Sequence, residues 1–171
     1  MAGKARVAVA RIETLDLAAA RRRLGPRDRR RYAGFSSAKR RREFLAGRAL
    51  LQQLGVTADS GRDGIVPKAS ISHSRGWVAC VVVTSGRAGI DIETMIERDF
   101  ARLGEWQFGH ATSREEFYRR WTVYEARIKA FGDDKPRASH RERTWTIGNK
   151  AAVSVCVPAR AILLARTGRA R

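Results

Sequence analysis

Acidic residues are scarce in this sequence. Its 171 residues include 17 Asp and Glu against 35 Lys and Arg, which gives a formal net charge of +18 at pH 7. A field of this sign attracts polyanions, including nucleic acids, anionic lipids, phosphorylated cofactors and acidic proteins. Compositional drift toward arginine is an alternative source of the charge, so composition alone does not choose among these partners.

Cysteine and long apolar runs are scarce as well. The two cysteines, Cys80 and Cys156, lie in apolar strand-like segments and are predicted to be reduced core residues. The longest uninterrupted apolar run, residues 78–83, is far shorter than the ~20 residues of a membrane-spanning helix. The first residues lack an apolar stretch of signal-peptide length. We therefore expect a cytoplasmic protein with no membrane partner.

Hydrophobic periodicity predicts a mixture of helices and strands. Residues 6–12 alternate like a strand, and helical spacing covers residues 15–24, 38–54 and 113–131, with a short basic helix ending near Tyr32. Ser36 or Ser37 is placed to cap the helix over 38–54, and Gly132 is placed to end the helix over 113–131.

The strand-like segments suggest two groups. Segments 69–73, 77–83 and 87–93 are joined by short turns and predict an antiparallel meander, and a polar loop follows them. Further strand-like runs, RTWTI, AAVSVCV and RAILLAR, follow residue 132. We expect an α+β protein with two similar lobes, residues 1–93 and 94–171, each a small antiparallel sheet packed with a long helix.

Two acidic residues stand two positions apart in GIDIE, residues 89–93. A strand places Asp91 and Glu93 on one face with Cα atoms about 6.5 Å apart, since the rise is ~3.3 Å per residue. Carboxylates that point the same way repel unless solvent or a cation separates them. Solvent is the ordinary explanation, because alternation of apolar and acidic residues is typical of any half-buried strand.

The helix over 113–131 carries a third acid. Trp121, Glu125 and Lys129 are spaced by four residues and share one face, beside an apolar stripe of Phe117, Tyr124, Ile128 and Phe131. A surface ion pair between Glu125 and Lys129 is the ordinary explanation.

Four motifs occur in one order along the chain: EFLAGRALL (43–51), Ser-His-Ser (72–74), GIDIE (89–93) and WTVYEARIK (121–129). Together they resemble the Sfp-type 4′-phosphopantetheinyl transferases of the holo-acyl-carrier-protein synthase superfamily. The resemblance covers residues 38–132, a little over half of the chain.

The resemblance implies a pseudo-dimeric fold with the active site between the two lobes. It implies a Mg²⁺-dependent enzyme that moves the phosphopantetheine arm of coenzyme A onto a serine of an acyl or peptidyl carrier protein and releases 3′,5′-ADP. Carriers of the acyl type are usually acidic, so the basic surface suits them. The chain would act as a monomer.

The resemblance also implies residue roles. Asp91, Glu93 and Glu125 match the family's metal ligands, and oxygen ligands suit Mg²⁺. Lys129 matches a lysine that steadies developing negative charge. Glu125 is also placed to accept the serine proton, directly or through water.

Coenzyme A would contact the earlier motifs. Ser72 and His73 match residues at its nucleotide and phosphate end, although His73 is alternatively an ordinary core histidine. Arg48 matches a basic residue at the 3′-phosphate, with Arg42 and Lys68 as further cofactor-binding candidates.

The chain departs from the family at two places. Tyr124 stands where the helix motif has Lys, and Val66-Pro67-Lys68 stands where the family has Gly-Lys-Pro.

Two alternatives stay open. One is a basic nucleic-acid-binding protein that stacks bases on four aromatic residues, Tyr32, Phe35, Trp77 and Trp106. Its binding would weaken steeply with salt and ignore Mg²⁺. The other, suggested by Tyr124, is a family member that binds coenzyme A but has lost turnover.

Overall fold

The computed structural model describes residues 3–56 and 68–167. The fold is α+β, as predicted. In chain order the main elements are β1 (Lys4–Arg11), α1 (Leu17–Arg22), α2 (Pro26–Ala33), α3 (Ala38–Gln53), β2 (Lys68–Ser74), β3 (Trp77–Val83), β4 (Gly89–Thr94), α4 (Phe100–Phe108), α5 (Arg114–Phe131), β5 (His140–Ile147), β6 (Ala151–Pro158) and β7 (Ile162–Thr167).

The strands form two sheets, one with the order β2-β3-β1-β7 and one with the order β4-β6-β5. Neighbouring strands are antiparallel except β1 and β7, which are parallel. The first sheet is therefore mixed, which differs from the antiparallel sheet that was expected.

The predicted meander is wrong for its third strand. Strand β4 pairs with β6 in the second sheet, where Asp91 lies opposite Ser154. The physical reason is that β3 has no free edge, since β1 pairs with one side of it and β2 with the other. The strands thus cross the expected boundary at residue 93, because β4 belongs to the second sheet and β7 to the first.

The two sheets enclose one apolar core. Val7 and Val81 of the first sheet belong to the same buried cluster as Ile90 and Val153 of the second. Helix α3 covers the outer face of the first sheet, where Leu50 packs in a cluster with Val78 and other residues of β3. Because β3 is buried on both faces, its sequence WVACVVV is apolar without alternation.

The outer face of the second sheet is covered by α5. Ala126 and Ala130 of this helix form a buried cluster with Cys156 of β6. Both cysteines are free and buried, as expected. Burial raises the pKa of the Cys80 thiol strongly and that of Cys156 to about 11.

Side chains at the helix ends explain where two predicted helices begin and end. The Ser37 hydroxyl accepts a hydrogen bond from Arg40 N at the start of α3, and the Ser113 hydroxyl accepts one from Glu116 N at the start of α5. Gly132, in a left-handed conformation at φ 84°, ends α5.

Helix α4 was not predicted, since residues 94–112 were expected to form a loop. The Asp99 carboxylate caps it by accepting from Arg102 N, and Gly109 ends it at φ 78°. Within the described ranges, no helix is long and apolar enough to cross a bilayer.

Candidate active site

Serines of β2 connect the two sheets. Ser70 Oγ accepts a hydrogen bond from Ile90 N at 3.2 Å, and Ser74 Oγ accepts one from Thr94 N at 3.1 Å. These bonds run from the edge of one sheet to the edge of the other, so β2 and β4 lie side by side without a backbone ladder between them. The polar positions of β2 therefore fix where the acids of β4 stand.

Each acid of GIDIE is paired with one of these serines. Ser72 Oγ donates to Asp91 Oδ1 at 2.8 Å, and Ser74 Oγ donates to Glu93 Oε2 at 2.8 Å. Asp91 is 3% exposed. Exposure to solvent therefore does not explain why Asp91 tolerates a neighbouring acid in GIDIE.

Lys129 of α5 reaches the same position from the other side. Its Nζ lies 2.6 Å from Asp91 Oδ1 and 2.9 Å from Ser72 Oγ. Lys129 is thus joined to Asp91 across elements, and the expected ion pair with Glu125 is not found among the described residues.

Glu125 is positioned by the way α5 runs along β4. At one end of the contact, Gly89 lies against Ala126 and Ala130. At the other end, Tyr118 Oη donates to Ile96 O and accepts from Ile96 N. Glu125 lies between these two contacts, one helical turn from Lys129, and the described residues offer it no hydrogen bond or ion pair.

Negative charge at the site is only partly compensated. Burial raises the pKa of Glu93, and the charge of Asp91 raises it further, while Ser74, Lys129 and Arg98 act in the opposite direction. Asp91 Oδ2 is buried and has no hydrogen-bond partner in the described part of the chain. An uncompensated buried carboxylate oxygen is costly unless a cation or donor satisfies it.

These oxygens fit a hard divalent cation. Carboxylate oxygens are the ligands that Mg²⁺ prefers, and Asp91 and Glu93 supply them on one strand. In the described part of the chain, however, no three His, Cys, Asp or Glu side chains are arranged as a ready metal group. Asp91, Glu93 and Glu125 therefore stay predicted ligands, of which Asp91 and Glu93 stand together on β4 beside the serines of β2.

A second set of predicted residues lines a cavity of about 360 Å³ between α2, α3 and β2. Arg48 and His73 are in its wall, together with Arg31 and Arg40. Arg42 and Lys68 are exposed and are not among the lining residues. Two of the proposed cofactor contacts, Arg48 and His73, thus share one basic cavity with Arg31 and with Arg40, a neighbour of the predicted Arg42.

Arg48 is engaged within the protein. Its Nε and Nη2 donate to the Asp28 carboxylate at 2.5 Å and 2.8 Å, and its guanidinium lies 4.6 Å from the Phe44 ring centroid. His73 Nδ1 lies 3.7 Å from Glu43 Oε1. The sequence pointed to Arg48 but not to Asp28, whose only signal was that it is the one acid in a basic run.

Ser72 is buried against Asp91 and Lys129. Its contact with the nucleotide end of coenzyme A, which the resemblance implies, stays a prediction. Ser74, which was not among the predicted site residues, holds Glu93. The signal for both serines was the alternation of Ser70, Ser72 and Ser74 along β2.

Tyr124 belongs to an aromatic stack. Its ring lies 5.5 Å from Trp121, which in turn stacks on Phe117. Of the Val66-Pro67-Lys68 segment, only Lys68 lies within the described residues, and it begins β2 opposite Val83.

The aromatic residues suggested for base stacking are dispersed. Trp77 is buried and Trp106 is 80% exposed on α4. Tyr32 and Phe35 pack near Phe44. Trp77 is therefore not available as a platform for nucleic acid.

No protein-family model matches the chain, and no curated protein matches it at a significant level.

Proposed function

We propose that this protein transfers 4′-phosphopantetheine from coenzyme A to a serine of an acyl or peptidyl carrier protein, with Mg²⁺ and with release of 3′,5′-ADP. The observation that carries the proposal is the meeting of Asp91 of GIDIE, Ser72 of the Ser-His-Ser motif and Lys129 of WTVYEARIK within hydrogen-bonding distance. Three sequence-distant motifs of the resemblance thus contribute to one partly buried site.

The proposed chemistry is a phosphoryl transfer. The carrier serine oxygen forms a bond to the phosphorus that bears the pantetheine arm, and the bond from that phosphorus to the leaving 3′,5′-ADP oxygen breaks. Bound at Asp91 and Glu93, Mg²⁺ would supply charge neutralisation for the pyrophosphate.

The protein's own residues position and neutralise the reacting groups. Lys129 steadies the negative charge that develops on the phosphate oxygens, because an ammonium in a partly water-excluded site acts strongly on them. Glu125, one turn away, accepts the proton that the serine hydroxyl loses. Ser72 and Ser74 hold the two carboxylates of β4 in place.

The basic cavity beside α3 is the proposed site for the nucleotide end of coenzyme A. Arg31, Arg40 and Arg48 supply positive charge, and guanidinium groups bind phosphate oxygens in a bidentate manner. The Asp28 carboxylate that now holds Arg48 fixes the orientation of its guanidinium.

The carrier is the proposed macromolecular partner. The net charge of +18 favours an acidic carrier and speeds its encounter with the site. This accounts for the charge without nucleic acid as the partner.

One experiment tests the proposal. The protein is incubated with coenzyme A, Mg²⁺ and a panel of apo carriers of the acyl and peptidyl types, and mass spectrometry detects carriers that gain a phosphopantetheine. We expect modification that EDTA abolishes. Mg²⁺-dependent coenzyme A binding without any modified carrier would favour a protein without turnover, and salt-sensitive, Mg²⁺-independent polyanion binding alone would favour a nucleic-acid-binding protein.

A further inference from the structure

Lys129 forms an ion pair with Asp91, one of the predicted metal ligands. The Lys129 ammonium lies 2.6 Å from Asp91 Oδ1, and Ser72 Oγ contacts both groups, at 2.9 Å from Nζ and 2.8 Å from Oδ1. A carboxylate that is 3% exposed thus has a protein-supplied cation at one oxygen.

Lys129 forms no ion pair with the second oxygen of Asp91 or with the Glu93 carboxylate. Asp91 Oδ2 is buried without a hydrogen-bond partner among residues 3–56 and 68–167. The Glu93 carboxylate receives its hydrogen bond from Ser74, and no lysine or arginine forms an ion pair with it in that part of the chain. Lys129 is therefore the one cation in direct contact with this acidic pair in the described part of the chain, and Arg98 acts on Glu93 without an ion-pair contact.

A divalent ion bound to Asp91 would stand close to the ammonium and repel it. Unit charges about 4 Å apart interact strongly in a partly buried site, so the two cations compete for this carboxylate. The lysine side chain is long and 29% exposed, so it is able to swing away. Once it has left Asp91, the Lys129 ammonium is free to bind a phosphate group.

We propose that Lys129 acts as an internal substitute for the metal, which holds Asp91 until a divalent ion displaces it, and that the displaced ammonium then binds the anionic cofactor. The inference rests on the metal site of the proposed function. It predicts that metal and cofactor each strengthen the binding of the other, since coupling between two ligands is reciprocal.

Binding of Mn²⁺ alone tests the first half. Electron paramagnetic resonance of free Mn²⁺ gives the dissociation constant for the wild type and for Lys129→Met, which keeps the side-chain length but removes the charge. We expect Lys129→Met to bind Mn²⁺ at least about tenfold more tightly. Lys150→Met, at an exposed lysine outside the site, is the matched control for net charge and should bind like the wild type.

The double variant Asp91→Asn/Lys129→Met locates the effect. This double variant should not bind Mn²⁺ more tightly than the wild type, because the tighter binding of Lys129→Met depends on the Asp91 charge. Equal or weaker Mn²⁺ binding by Lys129→Met, or a gain that persists without Asp91, would overturn the inference. If Lys129→Met is destabilised, the rise in its melting temperature on adding Mn²⁺ should exceed that of the wild type, and a smaller rise counts against the idea.

Coenzyme A tests the second half. After correction for Mn²⁺ bound by free coenzyme A, the wild-type protein should bind Mn²⁺ more tightly with the cofactor than without it. In Lys129→Met this difference should shrink, and an unchanged difference would contradict the proposed exchange. The result is separate from the transfer assay, because tighter Mn²⁺ binding by Lys129→Met together with a wild type that modifies no carrier would reject the transferase and retain the cation exchange.

Discussion

Gly89 lies directly against the backbone of α5 at Ala126. A Cβ atom at position 89 would overlap the Ala126 carbonyl oxygen and would stand 2.8 Å from Ala130 N. The packing therefore explains why the first residue of GIDIE is glycine. Only glycine lets the helix that carries Lys129 approach the strand that carries Asp91 so closely.

Gly89→Ala should destabilise the protein, because neither backbone can yield without moving α5. We expect a loss of about 1–3 kcal/mol in the free energy of unfolding, measured by urea denaturation. Gly34→Ala is the matched control, since Gly34 has an ordinary φ of −73° and its Cβ would meet its nearest atom at 3.5 Å. Similar losses in both variants would contradict the close approach at position 89.

The stability of the protein should depend on pH through Glu93. Burial, and then the Asp91 charge, raise its pKa in the folded protein above the value of about 4.3 in an unfolded chain. The stabilisation associated with the raised pKa is fully present below the unfolded value and is lost as pH rises through the folded pKa.

Without divalent ions, Glu93→Gln should therefore be more stable than the wild type at pH 8, and the difference should shrink toward pH 4. Urea denaturation across this range measures it. Glu105→Gln, at an exposed position of α4, should follow the wild type at every pH. A Glu93→Gln difference that does not change with pH would remove the physical basis of this expectation.

Asp91→Asn should abolish Mg²⁺-dependent transfer while the chain stays folded. The amide has the size of the carboxylate and can still accept from Ser72, but it lacks the charge that a divalent ion requires. Carrier modification is followed by mass spectrometry and the fold by far-ultraviolet circular dichroism. Asp134→Asn, at an exposed residue, serves as control, and wild-type activity in Asp91→Asn would count directly against the metal assignment.

Lys129→Ala should lower turnover on the order of 10²-fold, because a preorganised charge that acts on the transition state is lost. Lys129→Arg, which keeps a cation, should retain more activity than Lys129→Ala. Turnover with a saturating carrier measures the effect. An unchanged rate would leave Lys129 as a structural ion-pair partner only.

Reversing the charge of α2 should slow the encounter with an acidic carrier. Arg27 and Arg30 are exposed, so Arg27→Glu/Arg30→Glu changes the surface field without removing a described contact. Stopped-flow association should be slower than for the wild type at low salt, and the two rates should converge as salt screens the field. Equal rates at low salt would leave this basic cluster without a role in carrier binding.

Periodicity predicted α5 but not which of its faces would be buried. Of the predicted apolar stripe, Phe117 is buried, but Tyr124, Ile128 and Phe131 are only half-buried. The other buried residues of α5 are Tyr118 and three small residues, Thr122, Ala126 and Ala130. A helix that packs closely on a strand needs small side chains, and these give a weak hydrophobic signal.

Helix α4 was missed for a similar reason. Gly104 lowers the helix propensity of FARLGEWQF, yet it is buried where a Cβ atom would meet Thr112 Oγ1 at 2.5 Å. Packing between elements thus overrode local propensity.

The site was predictable to the extent that its residues stand in motifs. Asp91, Ser72 and Lys129 were all singled out, but their mutual contacts depend on two sheet edges meeting, which no local pattern records. Asp28 and Ser74 were missed because each acts only through a partner about 20 residues away.

The pairing of β1 with β7 sets an order on assembly during synthesis. Lys4 lies beside Ile162 and Val9 beside Thr167, so one flank of β1 lacks this neighbour until residues 162–167 have left the ribosome. During synthesis, the first half of the chain therefore has an unpaired edge on β1. A truncated product that ends near residue 93 should be prone to aggregation instead of folding as an independent unit.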